Sequence, residues 1–172
     1  MKFLIVDDDE RMILLLGKYL SEYAHCLTAH DGQRAIELFQ SHLDRGDPFA
    51  AVFMDFMMPG MTGIETVKKM RGEEKSRGLD GPEAFKLFMV SAKCDLKIVS
   101  ESFFKCSADA YLVKPFSRDD LRRLLLENKI IAPDAAGELR PSPWTNAAPA
   151  KAADQGRGAP PDSSPGGNDS PV

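Results

Sequence analysis

Ala50-Ala51-Val52-Phe53-Met54-Asp55-Phe56-Met57-Met58-Pro59-Gly60 is a run of five apolar residues that ends on one carboxylate and then turns. Three other apolar runs end on a polar group: Phe3–Val6 on Asp7-Asp8-Asp9, Leu87–Val90 on Ser91, and Tyr111–Val113 on Lys114-Pro115. None alternates apolar with polar, which is the pattern of strands buried on both faces of a parallel sheet. If the four runs are parallel strands, their polar ends share one sheet edge. In open α/β sheets, ligands bind at that edge, outside the carboxyl ends of the strands.

Between these runs the chain reads as helices. A strand at Lys2–Val6 leads to a helix from Glu10 to Tyr23. Its run Met12-Ile13-Leu14-Leu15-Leu16, continued by Tyr19, Leu20 and Tyr23, is apolar around much of its circumference, as in a well-buried helix. A short strand at Cys26–Ala29 precedes a helix carrying Ala35, Ile36, Leu38, Phe39 and Leu43. After the strand Ala50–Met54, Thr62-Gly63-Ile64-Glu65 is a capping box and opens a helix with Ile64, Val67 and Met70. Arg71 to Phe85 is polar and glycine-bearing, and reads as a long loop.

The strand Lys86–Val90 leads to a helix with Leu96, Val99 and Phe103 at i, i+3, i+7. A last strand, Ala110–Val113, is followed by a second capping box, Ser117-Arg118-Asp119-Asp120, and a helix with Leu121, Leu124 and Leu125. Five strands alternating with five helices predict one α/β domain over residues 1–130, a parallel sheet with helices on both faces. From Ala132 to Val172, 26 of 41 residues are Pro, Gly, Ala or Ser. With little to bury beyond Leu139 and Trp144, residues 131–172 are expected to be a disordered tail, either inert or a tether whose anchor is Trp144.

A net charge of −4 without a basic stripe argues against nucleic acid as the direct partner. No stretch approaches the roughly 18 apolar residues of a transmembrane helix, and the start is too short in apolar residues for a signal peptide. A cytoplasmic protein is expected. Cys26, Cys94 and Cys106 show no C-x-x-C spacing and read as free thiols. His25, His30 and His42 do not complete a zinc pattern.

Gathering Asp7, Asp8 and Asp55 without a counter-ion is costly, because like charges in one pocket push a pKa upward. A divalent cation resolves the conflict. All-oxygen ligands with no Cys or His select Mg²⁺, with Mn²⁺ able to substitute. Asp55 is then a candidate nucleophile, since carboxylates form aspartyl-phosphates. Lys114 supplies a positive charge and Ser91 a hydroxyl for phosphoryl oxygens. Each residue also has a plainer reading. Asp55 could be a turn residue, Asp7–Asp9 could open a helix, Ser91 could be a cap, and Lys114 could be a solvated side chain.

Ile5-Val6-Asp7-Asp8-Asp9, Met54-Asp55 through Met58-Pro59-Gly60-Met61-x-Gly63, Val90-Ser91-Ala92 and Asp109-Ala110-Tyr111-Leu112-Val113-Lys114-Pro115-Phe116 together resemble the response-regulator receiver domain of two-component signalling. The resemblance covers about residues 1–130; the tail has no counterpart. It implies a flavodoxin-like doubly wound five-stranded sheet of strand order 2-1-3-4-5. It implies that Asp55 is phosphorylated by a sensor histidine kinase or a histidine phosphotransfer protein. Asp8, Asp55 and the backbone carbonyl of Met57 would then ligate Mg²⁺, with Asp7 assisting through water. Lys114 and Ser91 would bind phosphoryl oxygens, and the Lys114–Pro115 bond would be cis.

The resemblance also implies a switch. Ser91 moves toward the phosphate and Tyr111 turns inward, reshaping a surface that Phe103 and Phe104 could join. Met57 and Lys93 stand at variable positions flanking the path of the hydrolytic water in this family. The Arg71–Phe85 connection looks longer than the family's, and no DNA-binding or enzymatic output domain is expected to follow.

The expected activity is that of a phosphoacceptor, not an enzyme. The chain should be a single-domain regulator resembling those of chemotaxis, or a phosphorelay intermediate, that assists its own phosphorylation and dephosphorylation and signals through protein contacts. An aspartyl-phosphate phosphohydrolase is disfavoured because such enzymes place a second Asp two residues after the nucleophile, where this chain has Met57. Direct DNA binding is disfavoured because the tail lacks the periodicity of a helix-turn-helix. With every acidic, hydroxyl and lysine position filled, a degenerate scaffold is disfavoured too.

Overall fold

The computed structural model describes residues 1–79, 81–92 and 107–133. In chain order it contains β1 (Lys2–Val6), α1 (Glu10–Leu20), β2 (His25–Ala29), α2 (Gly32–Asp44), β3 (Ala51–Asp55) and α3 (Gly63–Ser76). A 3-10 turn at Gly81–Glu83, β4 (Lys86–Ala92), β5 (Ala110–Lys114) and α4 (Arg118–Glu127) follow. All strand pairs are parallel, and the order across the sheet is β2-β1-β3-β4-β5, as expected. Among the described residues there are four α-helices. The expected helix through Leu96, Val99 and Phe103 lies outside them, as do Lys93, Phe104 and the tail from residue 134. No helix among the described residues is long and apolar enough to cross a membrane.

The unbroken apolar runs follow from two cores. Leu4, Val6, Val52, Met54, Leu87 and Met89 face α2 and α3, where Ile36, Phe39, Val67 and Met70 cover them. Their strand neighbours Phe3, Ile5, Phe53, Phe88 and Val90 face α1 and α4, under Ile13, Leu16, Leu121 and Leu125. Successive strand residues point to opposite faces, so a strand covered on both sides has no polar position to spare. Beyond α4, Ile130 and Ile131 still pack against the second core.

Two expectations need correction. The helix from Glu10 is not buried around its circumference: Ile13, Leu16 and Leu20 are buried, but Leu14 is 65% exposed. Its neighbours cover one face, and the turn after Leu20 ends it before Tyr23.

The Arg71–Phe85 segment is not a plain loop. α3 runs on through Gly72 to Ser76, because Gly72 lies on the exposed side, where the missing side chain costs only helix propensity, about 1 kcal/mol relative to Ala. The helix then stops at Gly78, whose φ of +72° suits glycine. Gly78 N–H donates to the Lys75 carbonyl and Leu79 N–H to the Glu74 carbonyl, the paired bonds of a Schellman stop.

That extra turn buries Glu74. Its carboxylate accepts from the Phe85 backbone N–H at 2.8 Å and from Arg71 Nη1 at 2.7 Å, while the Arg71 guanidinium lies 3.8 Å from the Phe85 ring centre. The acid therefore ties the end of α3 to the entrance of β4. Glu74→Ala leaves a buried N–H unpaired and is expected to lower stability by about 1–3 kcal/mol in chemical denaturation, with Glu74→Gln recovering part of the loss. A midpoint unchanged in Glu74→Ala would remove this role.

Candidate functional site

Register carries the polar strand ends together. Val6 pairs with Met54, so Asp7 and Asp55 leave adjacent strands side by side. Asp55 pairs with Val90, and Ala92 with Lys114, which sets Ser91 and Lys114 beside them on the next two strands. Asp7 is 1% exposed and Asp55 6%. Such carboxylates need partners, since a buried charge without one costs far more than a hydrogen bond returns.

The partner common to both is Lys114. Its Nζ lies 2.7 Å from Asp7 Oδ2 and 2.5 Å from Asp55 Oδ1. The other oxygens are held by backbone: Asp9 N–H donates to Asp7 Oδ1 at 2.9 Å and Met57 N–H to Asp55 Oδ2 at 2.8 Å. Asp9 also caps α1, its carboxylate accepting from Arg11 N–H. Burial pushes the Asp55 carboxyl above the usual carboxylate range despite Lys114 and the Met57 N–H, with Asp7 adding to the rise. Burial alone would lower the Lys114 ammonium, but its hydrogen bonds to Asp55 and Asp7 outweigh that and hold it above an ordinary lysine.

The other expected site residues fall into place unevenly. Asp8 is exposed beside the buried pair. Ser91 lies within β4, so it is not a helix cap; it is 1% exposed, and its Oγ has no hydrogen-bond partner among the described residues. Tyr111 is buried in the core layer facing α2 and α3. Met57 is 57% exposed at the rim. The Lys114–Pro115 bond is cis.

Sequence reasoning did not find the Lys114 bridge between the two carboxylates, nor the close approach at Gly63. A Cβ at Gly63 would sit 2.0 Å from the Asp55 carbonyl oxygen, so only glycine lets α3 start against the strand that carries Asp55. The Thr62-Gly63 step of the capping box was the available signal.

Among the described residues no three acidic, imidazole or thiol groups form a ready-made metal cage. The donors that are present nonetheless suit a hard cation. Two buried carboxylates share one ammonium, which leaves excess negative charge. A third carboxylate, Asp8, stands at the opening, and the Met57 carbonyl accepts no backbone hydrogen bond among the described residues. Mg²⁺ asks for one or two carboxylates and keeps water on its remaining positions, so this open set fits it.

Comparison with known proteins agrees with the geometry. A family model described as the response regulator receiver domain matches residues 3–126. The chain is 33% identical over 117 residues to the transcriptional regulatory protein SrrA of Staphylococcus aureus, covering 67% of this chain and 42% of that protein. The chain thus spans less than half the length of the curated relatives it matches. Among solved structures, the receiver domain of the histidine kinase CKI1 from Arabidopsis thaliana, complexed with Mg²⁺ and BeF3−, superposes with a TM-score of 0.65 at 23% identity, over 76% of this chain and 90% of that one. A CheX-CheY-BeF3-Mg²⁺ complex from Borrelia burgdorferi gives 0.63 at 24%, over 75% and 89%.

Proposed function

The chain belongs to the response regulator receiver domain family, the phosphoacceptor module of two-component systems, and we propose that its Asp55 accepts a phosphoryl group from a histidine kinase or a histidine phosphotransfer protein. The observation that carries this reading is the Lys114 ammonium held between the Asp7 and Asp55 carboxylates at the carboxyl edge of the sheet. Transfer of a phosphoryl group needs positioning and charge neutralisation more than covalent work by the protein. An Asp55 carboxylate oxygen forms the new P–O bond as the donor's P–N bond breaks, and the electron pair of that bond stays on the donor's histidine nitrogen.

Receiver domains bind Mg²⁺, which neutralises charge on the phosphoryl oxygens. In this chain Asp8, Asp55 and the Met57 carbonyl would hold it, with Asp7 assisting through water. Lys114 and Ser91 bind the phosphoryl oxygens, and the unpartnered Ser91 Oγ supports the second assignment. Once Ser91 is drawn to the phosphate, Tyr111 on the neighbouring strand is the side chain whose packing changes. The domain thereby signals in the cytoplasm through altered protein contacts. The exposed Met57 supports a phosphoacceptor over a phosphohydrolase, because no second acid stands at that position.

Incubation with acetyl phosphate and Mg²⁺ should add one phosphoryl mass to the intact protein, and chelation or Asp55→Asn should abolish the addition. Uptake by Asp55→Asn equal to wild type would sink the proposal. A Met at position 57 and a Lys at position 93 should also lengthen the life of the acyl phosphate. A Met57→Asn, Lys93→Glu variant is expected to lose phosphate several-fold faster, and equal rates would reject that role.

A further inference from the structure

The exposed Leu14 opens onto a groove of about 590 Å³ between α1 and β2. Ile13, Leu14 and Gly17 form one wall, Ala24 and Cys26 the other, and Lys18 and Ser21 stand among the lining residues. Two features set this place apart from the rest of the surface. Leu14 is one of three exposed large apolar side chains among the described residues, and the others, Met1 and Met57, do not line the groove. β2 pairs with β1 on one side only, and it is the one strand whose residues are mostly not buried.

We propose that the α1–β2 groove is the docking site of this chain's own segment Leu139–Trp144. The described chain ends at Pro133 on the correct side of the sheet. Ile130 and Ile131 pack on the core shared with Tyr23, Ala24 and Cys26, and the latter two line the groove. Trp144 lies eleven residues beyond Pro133, a reach of at most roughly 36 Å, more than twice the length of α1.

The occupant follows from what the tail holds. Beyond Pro133 the sequence offers two large apolar side chains, Leu139 and Trp144, with Pro141 and Pro143 between them. Those prolines restrict the backbone to extended conformations and lower the entropy cost of docking. An indole brings a large apolar body and one N–H donor, which suits an apolar groove with Ser21 and Thr28 hydroxyls in its lining.

Trp144 is the single tryptophan of the chain, so its fluorescence reports the site directly. In the full chain its emission should be blue-shifted from that of the denatured protein and protected from acrylamide. Leu14→Glu, a change at an exposed position, should return emission to the denatured value and raise the quenching constant several-fold, with the circular dichroism unchanged. Exposed Trp144 emission in wild type would overturn the proposal, and so would protection that survives Leu14→Glu. Protection that disappears on dilution would overturn it in favour of a second copy as occupant.

Discussion

Lys114→Met is expected to unfold at a markedly lower temperature than wild type when metal is chelated, and Mg²⁺ is expected to restore much of the difference. The substitution keeps the side chain's length and removes the ammonium that Asp7 and Asp55 share. Breaking a buried pair by deleting one partner costs about 3–5 kcal/mol. Water reaches the Lys114 side chain, which is 22% exposed, so a loss of about 2 kcal/mol is the better expectation. For a domain of this size that corresponds to a fall of very roughly 8 °C. A cation that binds the folded form alone stabilises it by about 2.7 kcal/mol at a hundred times its dissociation constant. The variant should therefore gain more from Mg²⁺ than wild type does. Equal melting of the two proteins in chelator would mean that the carboxylates do not depend on Lys114.

Asp55→Asn should do the reverse: phosphoryl uptake disappears, while the metal-free protein becomes more stable. The fold disfavours a charged Asp55, as the upward push on its carboxyl by burial shows. An amide of the same shape removes one of two like charges beside a single ammonium, and its one carbonyl oxygen can accept from the Met57 N–H or from Lys114, not from both. Higher stability at the expense of function is what a site held for chemistry should show. Thermal unfolding in chelator checks the first half. A lower melting temperature would show that the ion pair outweighs the cost of burying the charge. With Mg²⁺ present the order should reverse, because the variant has lost one of the proposed metal ligands.

Most of the sheet was legible because the apolar runs at Phe3–Val6, Ala51–Met54, Leu87–Val90 and Tyr111–Val113 are of strand length and each ends on a polar group. What the sequence concealed lay at longer range. The extra length of α3 was hidden by Gly72, whose cost to a helix is small, and by Glu74, a charged residue that looks solvated until Phe85 returns to meet it. Leu14 looked like core because its neighbours in sequence are core; only the position of α1 over the sheet leaves it exposed. At the site, the residue types and strand ends were visible, whereas the bridge from Lys114 to both acids depends on the pairing of β5 with β4, which no local pattern encodes. Gly63 reads in the sequence as part of a capping box, but its approach to the Asp55 carbonyl depends on the packed helix.

Chemical mapping of the phosphorylated chain puts the role of Asp55 to the plainest test. Borohydride reduces an acyl phosphate to an alcohol, converting the modified aspartate to homoserine, and peptide sequencing by mass then locates it. Homoserine is expected at position 55, appearing only after treatment with phosphodonor and Mg²⁺. Homoserine at Asp7 or Asp8, or none at all in protein that has taken up phosphate, would contradict that assignment.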